Sequence, residues 1–342
     1  MPDIPEDPTT GPSGHPQAPD PAGPGPAQDA TRVFAGYREL LFSIVYNLLG
    51  NVADTEDILQ DTWLSWAARH RDPAAGEIEN RRAYLVRIAV NHALARQSAI
   101  RRRRETYVGP WLPEPLVSGD PPPDPAEPAL RAESVSMALL VVLETLTPLE
   151  RAVFVLHEVF GYAHPEIAGI LGRTPAAVRQ LSHRAREHVH ARRPRYQADP
   201  RVQRQATERF LAAALGGDLD ALLRILAPDV TMWTDGGGKA RASVLRPVQG
   251  RDRVARMIVG VTSRAPEELE VRYRTVNGDP SAVLFADDSP FAVMVIDLTP
   301  DGEQVRGIYT VTNPDKLSRV PDGAEPPAAA EPPSEDPGGQ AP

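Results

Sequence analysis

Cysteine is absent from the 342-residue sequence, and lysine occurs only twice. Without cysteine the chain can form no disulfide framework and no thiolate metal site, which fits a reducing compartment. No apolar run approaches the roughly 20 residues that span a bilayer. The acidic, proline-rich start MPDIPEDPTTGPSGHPQ lacks the basic residues and apolar centre of a secretory signal. We therefore expect a cytoplasmic protein without membrane contact.

The net charge of −9 conceals a strong segregation of charge along the chain. Residues 1–30 carry −5 and the segment from Arg319 onward carries −4. By contrast, residues 81–104 contain eight arginines and no acid, and residues 173–195 contain seven arginines against Glu187 alone. Two basic patches within an acidic chain are typical of a DNA-binding protein whose tails are solvated.

The 37 prolines cluster at the two ends and in one internal segment. Residues 1–30 and 319–342 contain few large apolar residues, so we expect disordered tails. Residues 109–135, GPWLPEPLVSGDPPPDPAEPALRAESV, predict a proline-rich linker, because proline cannot continue a helix. The linker and tails separate three candidate domains.

The first two candidate domains, residues 31–108 and 136–196, show the apolar spacing of helices. In the first, we expect Asp54 to be the N-cap of the second helix, and a third helix to begin near Asn80. The part of the chain before residue 197 is thus predicted to be all-α.

Residues 200–318 predict an α+β domain, with helices first and strands later. Two short helices precede the strand-like VTMWT, and a further helix is expected from about Gly250. Three strand-like segments follow, ELEVRYRTV, SAVLFADDSPFAVMVIDLT and QVRGIYTVT, separated by NGDP and TPDG turn signals.

The segment HPEIAGILGRTPAAVRQLSHRAREHV has the spacing of a helix-turn-helix. Gly172 supplies the turn, Thr174 can cap the second helix, and Pro175 suits its first position. The face opposite the apolar seam would offer donors to phosphates and base edges in a major groove. Those donors are Arg173, Arg179, Gln180, His183 and Arg184. The alternative is an ordinary helical hairpin with a solvated basic face.

The helical part resembles the sigma-70 family of sigma factors, extracytoplasmic-function branch. DTEDILQDTWLSWA resembles region 2, whose acidic helix docks on the clamp helices of RNA polymerase, and RIAVNHALARQSAIRRRRE resembles the helix that reads the promoter −10 element. LTPLERAVFVLHEVFGYAHPEIAGILGRTPAAVRQLSHRAREHV resembles region 4, which reads the −35 element. The resemblance implies a sigma factor that directs core RNA polymerase to promoter DNA.

The resemblance also implies roles for individual residues. Asp57, Gln60 and Asp61 would face the polymerase, and Asn91 would read an unstacked base of the −10 element. The phosphate-holding residues would be Arg101, Arg102, Arg103 and Arg104. The −35 contacts would be made by the donors of the helix-turn-helix, namely Arg173, Arg179, Gln180, His183 and Arg184. Ala95 stands where many relatives have Asp, which bears on the preference for −10 bases.

The α+β part resembles the SnoaL-like fold of the nuclear-transport-factor-2 superfamily, in which a curved sheet surrounds a pocket. Together, WLPEPL, DGGGK and NPDKL resemble the sigma factors that carry this domain fused, the SigJ type among them. The resemblance implies that the fused domain regulates the sigma core in cis, without a separate anti-sigma factor, and that its pocket could hold a small molecule.

We hypothesise that DGGGK and NPDKL lie together at one rim of the fused domain and face WLPEPL. The regulatory contact would then consist of Trp111, Leu112, Pro113, Glu114, Pro115, Asp235, Gly236, Gly237, Gly238, Lys239, Asn313, Pro314, Asp315, Lys316 and Leu317. The two lysines of the chain are Lys239 and Lys316, each close behind an aspartate, where a compact ammonium could fit better than a guanidinium.

TDGGGK does not match a phosphate-binding P-loop, which needs four residues between its glycines and a helix after its lysine. The following ARASVLRPV instead predicts a strand, so we expect a tight hairpin or a packing surface. Enzymes of the SnoaL-like fold use an Asp or His base, but no histidine follows Pro200. Asp235 and Tyr309 remain as candidates.

We favour a protein without catalysis, cofactor or metal. Two alternatives stay open: a stand-alone helix-turn-helix regulator, and an isomerase- or cyclase-type enzyme fused to a DNA-binding module.

Overall fold

The computed structural model describes residues 26–72, 76, 78–118, 135–192, 198–240, 244–266 and 268–321. Most of the two predicted tails and residues 119–134 of the predicted linker lie outside these residues. Both tails were predicted too long. Ala30 is buried and its carbonyl accepts the Trp66 indole N–H at 2.9 Å, and Val320 is buried against the sheet.

Three long helices form the first unit. They are α1 (Pro26–Leu49), α2 (Val52–Arg71) and α3 (Arg81–Glu105). Asn80 caps α3 as expected, but Asp54 does not cap α2. Asn51 does so, because Gly50 ends α1 with φ of +69° and α2 starts immediately after it. Asp54 is instead a buried residue of the first turn.

The second unit is also helical. It contains α4 (Met137–Leu143), α5 (Pro148–Phe154), a π-helical turn (Val155–Val159), α6 (His164–Leu171) and α7 (Pro175–Arg192). Gly172 makes the predicted left-handed turn, and the Thr174 hydroxyl accepts the Ala177 N–H at 3.2 Å. Buried side chains of both helical units form one continuous core, so the units are packed together.

The third unit combines a sheet with helices. The helices are α8 (Pro200–Leu215), α9 (Leu219–Ile225), α10 (Arg251–Thr262) and α11 (Pro314–Leu317). The strands are β1 (Val117–Ser118), β2 (Leu226–Asp235), β3 (Val248–Gln249), β4 (Leu269–Val276), β5 (Asp279–Ala286), β6 (Ser289–Leu298) and β7 (Val305–Val311). Their order in the sheet is β1-β4-β5-β6-β7-β2-β3, with only β7 and β2 parallel.

Two features of this sheet differ from the expectation. The long segment from Ser281 is two strands, β5 and β6, because Asp287 and Asp288 both adopt positive φ and form a two-residue turn. In addition, residues 241–243 of the strand expected directly after TDGGGK lie outside the described residues, and among the described residues that follow them the strand is only the short β3.

The two faces of the sheet pack against different partners, because successive side chains of a strand point to opposite sides. Met232 of β2 and Ile308 of β7 pack beneath α8, α9 and α10. Trp233, Tyr309 and Val311 lie on the other face, where the linker residue Leu112 and the start of α4 cover them. One face of the sheet therefore packs against the helices of its own unit, and the other face packs against the linker and the second helical unit.

Within the described ranges, no helix has both the length and the apolar character required to cross a membrane.

Candidate functional sites

The predicted polymerase-facing residues form one exposed stripe on α2. Asp57, Gln60 and Asp61 are all exposed, and Asp57 pairs with Arg96 of α3 at 2.7 Å. Leu64, one turn further on, is 57% exposed although it is a large apolar residue. Leu64 was not among the predicted residues, although its spacing of seven residues from Asp57 was an available signal.

The predicted −10-reading residue lies in a contact between the helical units. The side-chain amide of Asn91, on α3, donates to the carbonyl oxygen of Ile170, on α6, at 3.4 Å. Nearby, the Arg82 guanidinium donates to the Tyr162 hydroxyl at 3.2 Å and lies over its ring. The surface of α3 that carries Asn91 is therefore partly covered by the helix-turn-helix unit.

The four arginines at the end of α3 do not share one environment. Arg101 and Arg102 are exposed. Arg103 donates to both carboxylate oxygens of Asp54 at 2.8 Å. Arg104 is largely buried and pairs with Glu144. Of the four, only Arg104 is thus withdrawn from solvent, whereas Arg103 stays exposed although it is paired with Asp54.

The predicted −35-reading residues share one exposed surface around α7. All five are exposed, namely Arg173, Arg179, Gln180, His183 and Arg184. On the opposite side of the helix, Val178, Ala185 and Val189 are buried. Arg184 lies 3.5 Å from Glu150, a surface pair of the kind that contributes little to stability. The arrangement suits contact with a duplex groove.

WLPEPL is buried rather than solvated, although its prolines predicted a linker. Leu112, Pro113, Glu114 and Pro115 are all buried. Glu114 anchors this stretch to the first unit: its N–H donates to the Gly50 carbonyl at 2.9 Å, and its carboxylate accepts the Val52 N–H at 2.9 Å. Burial raises the pKa of Glu114.

A second set of hydrogen bonds connects WLPEPL to the fused domain. We call the four residues that form it, Leu112, Asp235, Lys316 and Tyr107, the linker clamp. The Asp235 carboxylate accepts the Leu112 N–H at 2.8 Å and the Tyr107 hydroxyl at 2.5 Å. Lys316 donates to Asp235 at 2.7 Å and also to the Leu112 carbonyl. Both backbone polar groups of Leu112 are therefore bound by side chains from beyond residue 230.

Electrostatics in the linker clamp are dominated by burial. Lys316 is 4% exposed and Asp235 is 0% exposed. Burial lowers the pKa of Lys316 to about 8, against the opposing effect of Asp235. Burial and then Asp235 raise the pKa of Tyr107. The Lys316 ammonium lies 3.4 Å from the centroid of the Trp111 ring, where an ammonium is attracted to the ring face.

The DGGGK turn is shaped by its contacts. Gly237 has φ of +59° and Gly238 has φ of +73°. A Cβ at Gly237 would lie 2.7 Å from Cγ of Asn313, and one at Gly238 would lie 3.0 Å from Cβ of Val108. The glycines therefore permit close approach of NPDKL and of the chain just before WLPEPL. Gly236 accepts the backbone N–H of Lys239 at 2.9 Å, which closes the turn.

NPDKL forms the short helix α11 beside this turn. Asn313 caps the helix, and its side-chain amide donates to the Tyr107 hydroxyl at 2.7 Å. Pro314 occupies the first turn and Leu317 is buried against the sheet. The two lysines behave differently: Lys239 pairs with Asp315 at 2.6 Å in solvent, whereas Lys316 is the one that reaches the linker.

A third contact, which was not predicted from the sequence, joins WLPEPL to the opposite edge of the sheet. Asn277 accepts the Leu116 N–H at 3.3 Å, and its amide donates to the Tyr46 hydroxyl at 2.8 Å. Tyr46 in turn donates to the Glu114 carbonyl at 2.6 Å. Strand β1 then pairs with β4. The linker is thus bonded to both the first unit and the fused domain.

The fused domain encloses a cavity of about 840 Å³ between the sheet and its helices. Its lining is mainly apolar and includes Phe210, Met257 and Phe291. Thr234 and Thr310 also line it, and their buried hydroxyls have no hydrogen-bond partner within the described residues. The described lining contains no carboxylate and no imidazole. Asp235 and Tyr309 alternate to the other face of the sheet and do not line the cavity.

Three family profiles match the chain. Sigma-70 region 2 matches residues 33–106, Sigma-70 region 4 matches residues 136–189, and the SnoaL-like domain matches residues 207–317.

Two curated relatives from Mycobacterium tuberculosis are similar over most of the chain. ECF RNA polymerase sigma factor SigJ is 37% identical over 84% of this chain and 93% of the relative. Probable ECF RNA polymerase sigma factor SigI is 30% identical over 82% of this chain and 92% of the relative. The crystal structure of SigJ aligns with a TM-score of 0.65 at 34% identity, covering 84% of this chain and 98% of SigJ.

Proposed function

This chain belongs to the extracytoplasmic-function sigma factors of RNA polymerase, and we propose that its fused SnoaL-like domain restrains the sigma core in cis by holding the linker. As a sigma factor, the protein directs core RNA polymerase to promoter DNA. The observation that carries the proposal is the linker clamp, in which Asp235 and Lys316 bind both backbone polar groups of Leu112.

The restraint matters because the two DNA-reading units lie against each other. By their names, the −10 and −35 elements are about 25 base pairs apart, roughly 85 Å of duplex at 3.4 Å per base pair. Asn91 of region 2 lies within hydrogen-bond distance of Ile170 of region 4. Reading both elements at once therefore requires the units to separate, and a held linker opposes separation.

The residue roles follow from exposure. We propose that Asp57, Gln60, Asp61 and Leu64 contact the polymerase. The −35 element would be read by Arg173, Arg179, Gln180, His183 and Arg184, which are exposed already. Arg104 would become available to −10 DNA only after opening, because it is largely buried against Glu144. Arg101, Arg102 and Arg103 are exposed from the start, and Asn91 is exposed although its amide is bonded to Ile170.

We also propose that the large cavity senses a small, mainly apolar molecule with hydrogen-bonding groups at one end. Thr234 and Thr310 would meet those groups. Pro314 and Leu317 of α11 line the cavity, while Lys316 of the same helix holds the linker. A ligand that displaces α11 would therefore loosen the linker clamp, so no separate anti-sigma factor is needed for regulation.

Catalysis by the fused domain is not favoured. Asp235 is occupied by Lys316, Leu112 and Tyr107, and it faces away from the cavity. A stand-alone repressor is also disfavoured, because a protein that binds only DNA does not require the exposed stripe of Asp57, Gln60 and Asp61 on α2.

The test is transcription in vitro with full-length protein, core polymerase and genomic promoter fragments. We expect Asp235→Asn to raise promoter-specific transcription several-fold by weakening the linker clamp. Asp297→Asn is the matched control, because Asp297 lies on the same sheet and pairs with Arg306. Equal output from wild type and Asp235→Asn would contradict restraint in cis; no promoter-specific transcript from any form would contradict sigma activity itself.

A further inference from the structure

The end of α3 carries positive charge that the neighbouring described residues do not balance. Three of its arginines each pair with a carboxylate, namely Arg96 with Asp57, Arg103 with Asp54 and Arg104 with Glu144. Arg151 also pairs with Glu144. Arg101 and Arg102 are exposed and make no ion pair within the described residues; we call these two residues the α3 basic end. Even with the exposed Glu105 that follows them, six arginines here face four carboxylates.

The described part of the chain ends at a fixed point. Val320 is buried against the sheet, and Pro321, which follows it, is exposed. Residues 322–342, which we call the acidic segment, contain five carboxylates and neither lysine nor arginine. Those carboxylates belong to Asp322, Glu325, Glu331, Glu335 and Asp336. A segment of this charge is attracted to a positive surface within its reach.

A short series of contacts connects this point to the α3 basic end. Arg319 lies 3.9 Å from Glu114, and the Glu114 carboxylate accepts the Val52 N–H at 2.9 Å. Asp54, two residues further along α2, accepts from Arg103 at 2.8 Å. Followed along this path, the distance from Arg319 to the α3 basic end is at most on the order of 30 Å.

The acidic segment is long enough to cover this distance. Glu331, Glu335 and Asp336 follow Pro321 by 10 to 15 residues, which corresponds to about 33–50 Å of extended chain. These three carboxylates can therefore meet the α3 basic end while Val320 stays in place.

The acidic residues near the start of the sequence are less well placed. The described residues begin at Pro26, and Asp29 lies 3.6 Å from Arg81 at the start of α3. About 30 Å of helix separates Arg81 from Arg101. Residues 1–25 also have exposed arginines closer to them, since Arg81 and Arg87 are both exposed. Position and charge therefore favour the acidic segment as the occupant of the α3 basic end.

We propose that the acidic segment of this chain binds the α3 basic end and competes there with DNA phosphate. Glu331, Glu335 and Asp336 supply the carboxylates, and hydrogen bonds between guanidinium and carboxylate groups are charge-assisted. Exposed ion pairs are individually weak, but a tethered segment has an effective concentration on the order of millimolar. The contact stands by itself, whereas the competition rests on the proposed role of Arg101 and Arg102 in holding −10 DNA.

The contact can be tested by zero-length crosslinking, because carbodiimide joins a carboxylate to an amine and the chain has only two lysines. In full-length Arg102→Lys at low ionic strength, mass spectrometry should find the introduced amine joined to Glu331, Glu335 or Asp336. Arg87→Lys is the matched control, exposed on the same helix, and should give at least fivefold less of this product. About 0.5 M NaCl should abolish the product, because salt screens exposed charges.

Three crosslinking results would overturn the proposal: equal yields from the two variants, joining of the introduced amine to residues 1–25 instead, or joining only between two protein molecules. The experiment needs neither DNA nor polymerase. Its failure would therefore refute this contact without bearing on the linker clamp or on sigma activity.

The competition is measured with a short fluorescent single-stranded DNA and full-length protein. Changing Glu331→Gln, Glu335→Gln and Asp336→Asn together should tighten binding at least threefold at low salt. The matched control neutralises three acids at the other end, Glu6→Gln, Asp7→Asn and Asp20→Asn, and should change the affinity less than twofold.

The gain in affinity should disappear when Arg101→Gln and Arg102→Gln are added, because the acidic segment then has no site for which to compete. Unchanged affinity in the first triple variant, an equal gain in the control, or a gain that survives loss of both arginines would refute the competition.

Discussion

Nζ of Lys316 lies 2.7 Å from Oδ2 of Asp235, and both side chains are buried. The pair connects two segments of the fused domain that are 81 residues apart in sequence, since Asp235 ends β2 and Lys316 lies in α11. Both residues also bind Leu112. The pair is therefore the point at which the fold of the extra domain and the position of the linker depend on each other.

Removing one partner of this buried pair should be far more costly than removing one partner of an exposed pair. We expect Lys316→Met to reduce the free energy of unfolding by about 3–5 kcal/mol, because it leaves the Asp235 carboxylate buried and unpaired. Lys239→Met is the control: its pair with Asp315 has side chains 56% and 65% exposed, so the loss should stay below about 1 kcal/mol. Urea denaturation measures both; similar losses would contradict the assigned role of Lys316.

Stability should also rise with pH above neutrality. The pKa of Lys316 is about 8 in the folded protein, against 10.5 for an ordinary lysine. Between these values the unfolded chain binds more protons, so the free energy of unfolding increases with pH. From pH 7.5 to 9.0 we expect Lys316 to contribute about 1 kcal/mol of this rise. In Lys316→Met the rise should be smaller by that amount; an identical pH profile in the variant would show that Lys316 is not the group responsible.

Much of the fold could be predicted from local sequence. Helix α3 follows its cap at Asn80, and the turn between α6 and α7 follows Gly172 and Thr174, because caps and turns depend on neighbouring residues. The turn at Asp287 and Asp288 was missed, since it uses left-handed backbone without glycine. The family signature named WLPEPL, DGGGK and NPDKL, which lie together in the structure, but not the bonds between them.

The role of WLPEPL could not be read from its composition. Its prolines exclude a helix, and a solvated linker satisfies the same pattern. The partners that bury it, Gly50, Asp235 and Asn277, are distant in sequence. Similarly, the sequence drew attention to both lysines, Lys239 and Lys316, whereas only Lys316 takes part in the linker clamp. Which lysine is buried depends on α11 packing against the sheet, which no local pattern specifies.

Gly237 should tolerate substitution less well than a glycine with the same backbone conformation elsewhere. Gly217 has φ of +67° and no atom within 4 Å of a Cβ, whereas a Cβ at Gly237 would strike the Asn313 side chain. Both alanine variants incur the cost of positive φ, about 1–2 kcal/mol. We expect the free energy of unfolding, measured by heat or urea, to fall by at least 1 kcal/mol more in Gly237→Ala than in Gly217→Ala. Equal losses would mean that Asn313 moves aside freely.

The protein should gain stability when the hydroxyls of Thr234 and Thr310, which lack a hydrogen-bond partner among the described residues, are removed. Thr234→Val replaces a buried, unsatisfied hydroxyl by a methyl group of similar size. The free energy of unfolding of the variant should therefore equal that of the wild type or exceed it by roughly 1 kcal/mol. Thr207→Val is the control, because the Thr207 hydroxyl donates to the Gln203 carbonyl at 2.9 Å, and it should be destabilising. A loss in Thr234→Val as large as that in Thr207→Val would argue against a hydroxyl reserved for a ligand.

Leu64 should contribute to polymerase binding without contributing to folding. It is 57% exposed and continues the stripe of Asp57, Gln60 and Asp61, so Leu64→Ser should change stability by less than about 0.5 kcal/mol. At an interface, loss of a buried apolar contact costs about 1 kcal/mol or more, and we expect affinity for core polymerase to fall at least fivefold. Leu245→Ser provides the comparison, since Leu245 is 71% exposed in the fused domain and should leave the affinity unchanged. Wild-type binding by Leu64→Ser would exclude this turn of α2 from the polymerase contact.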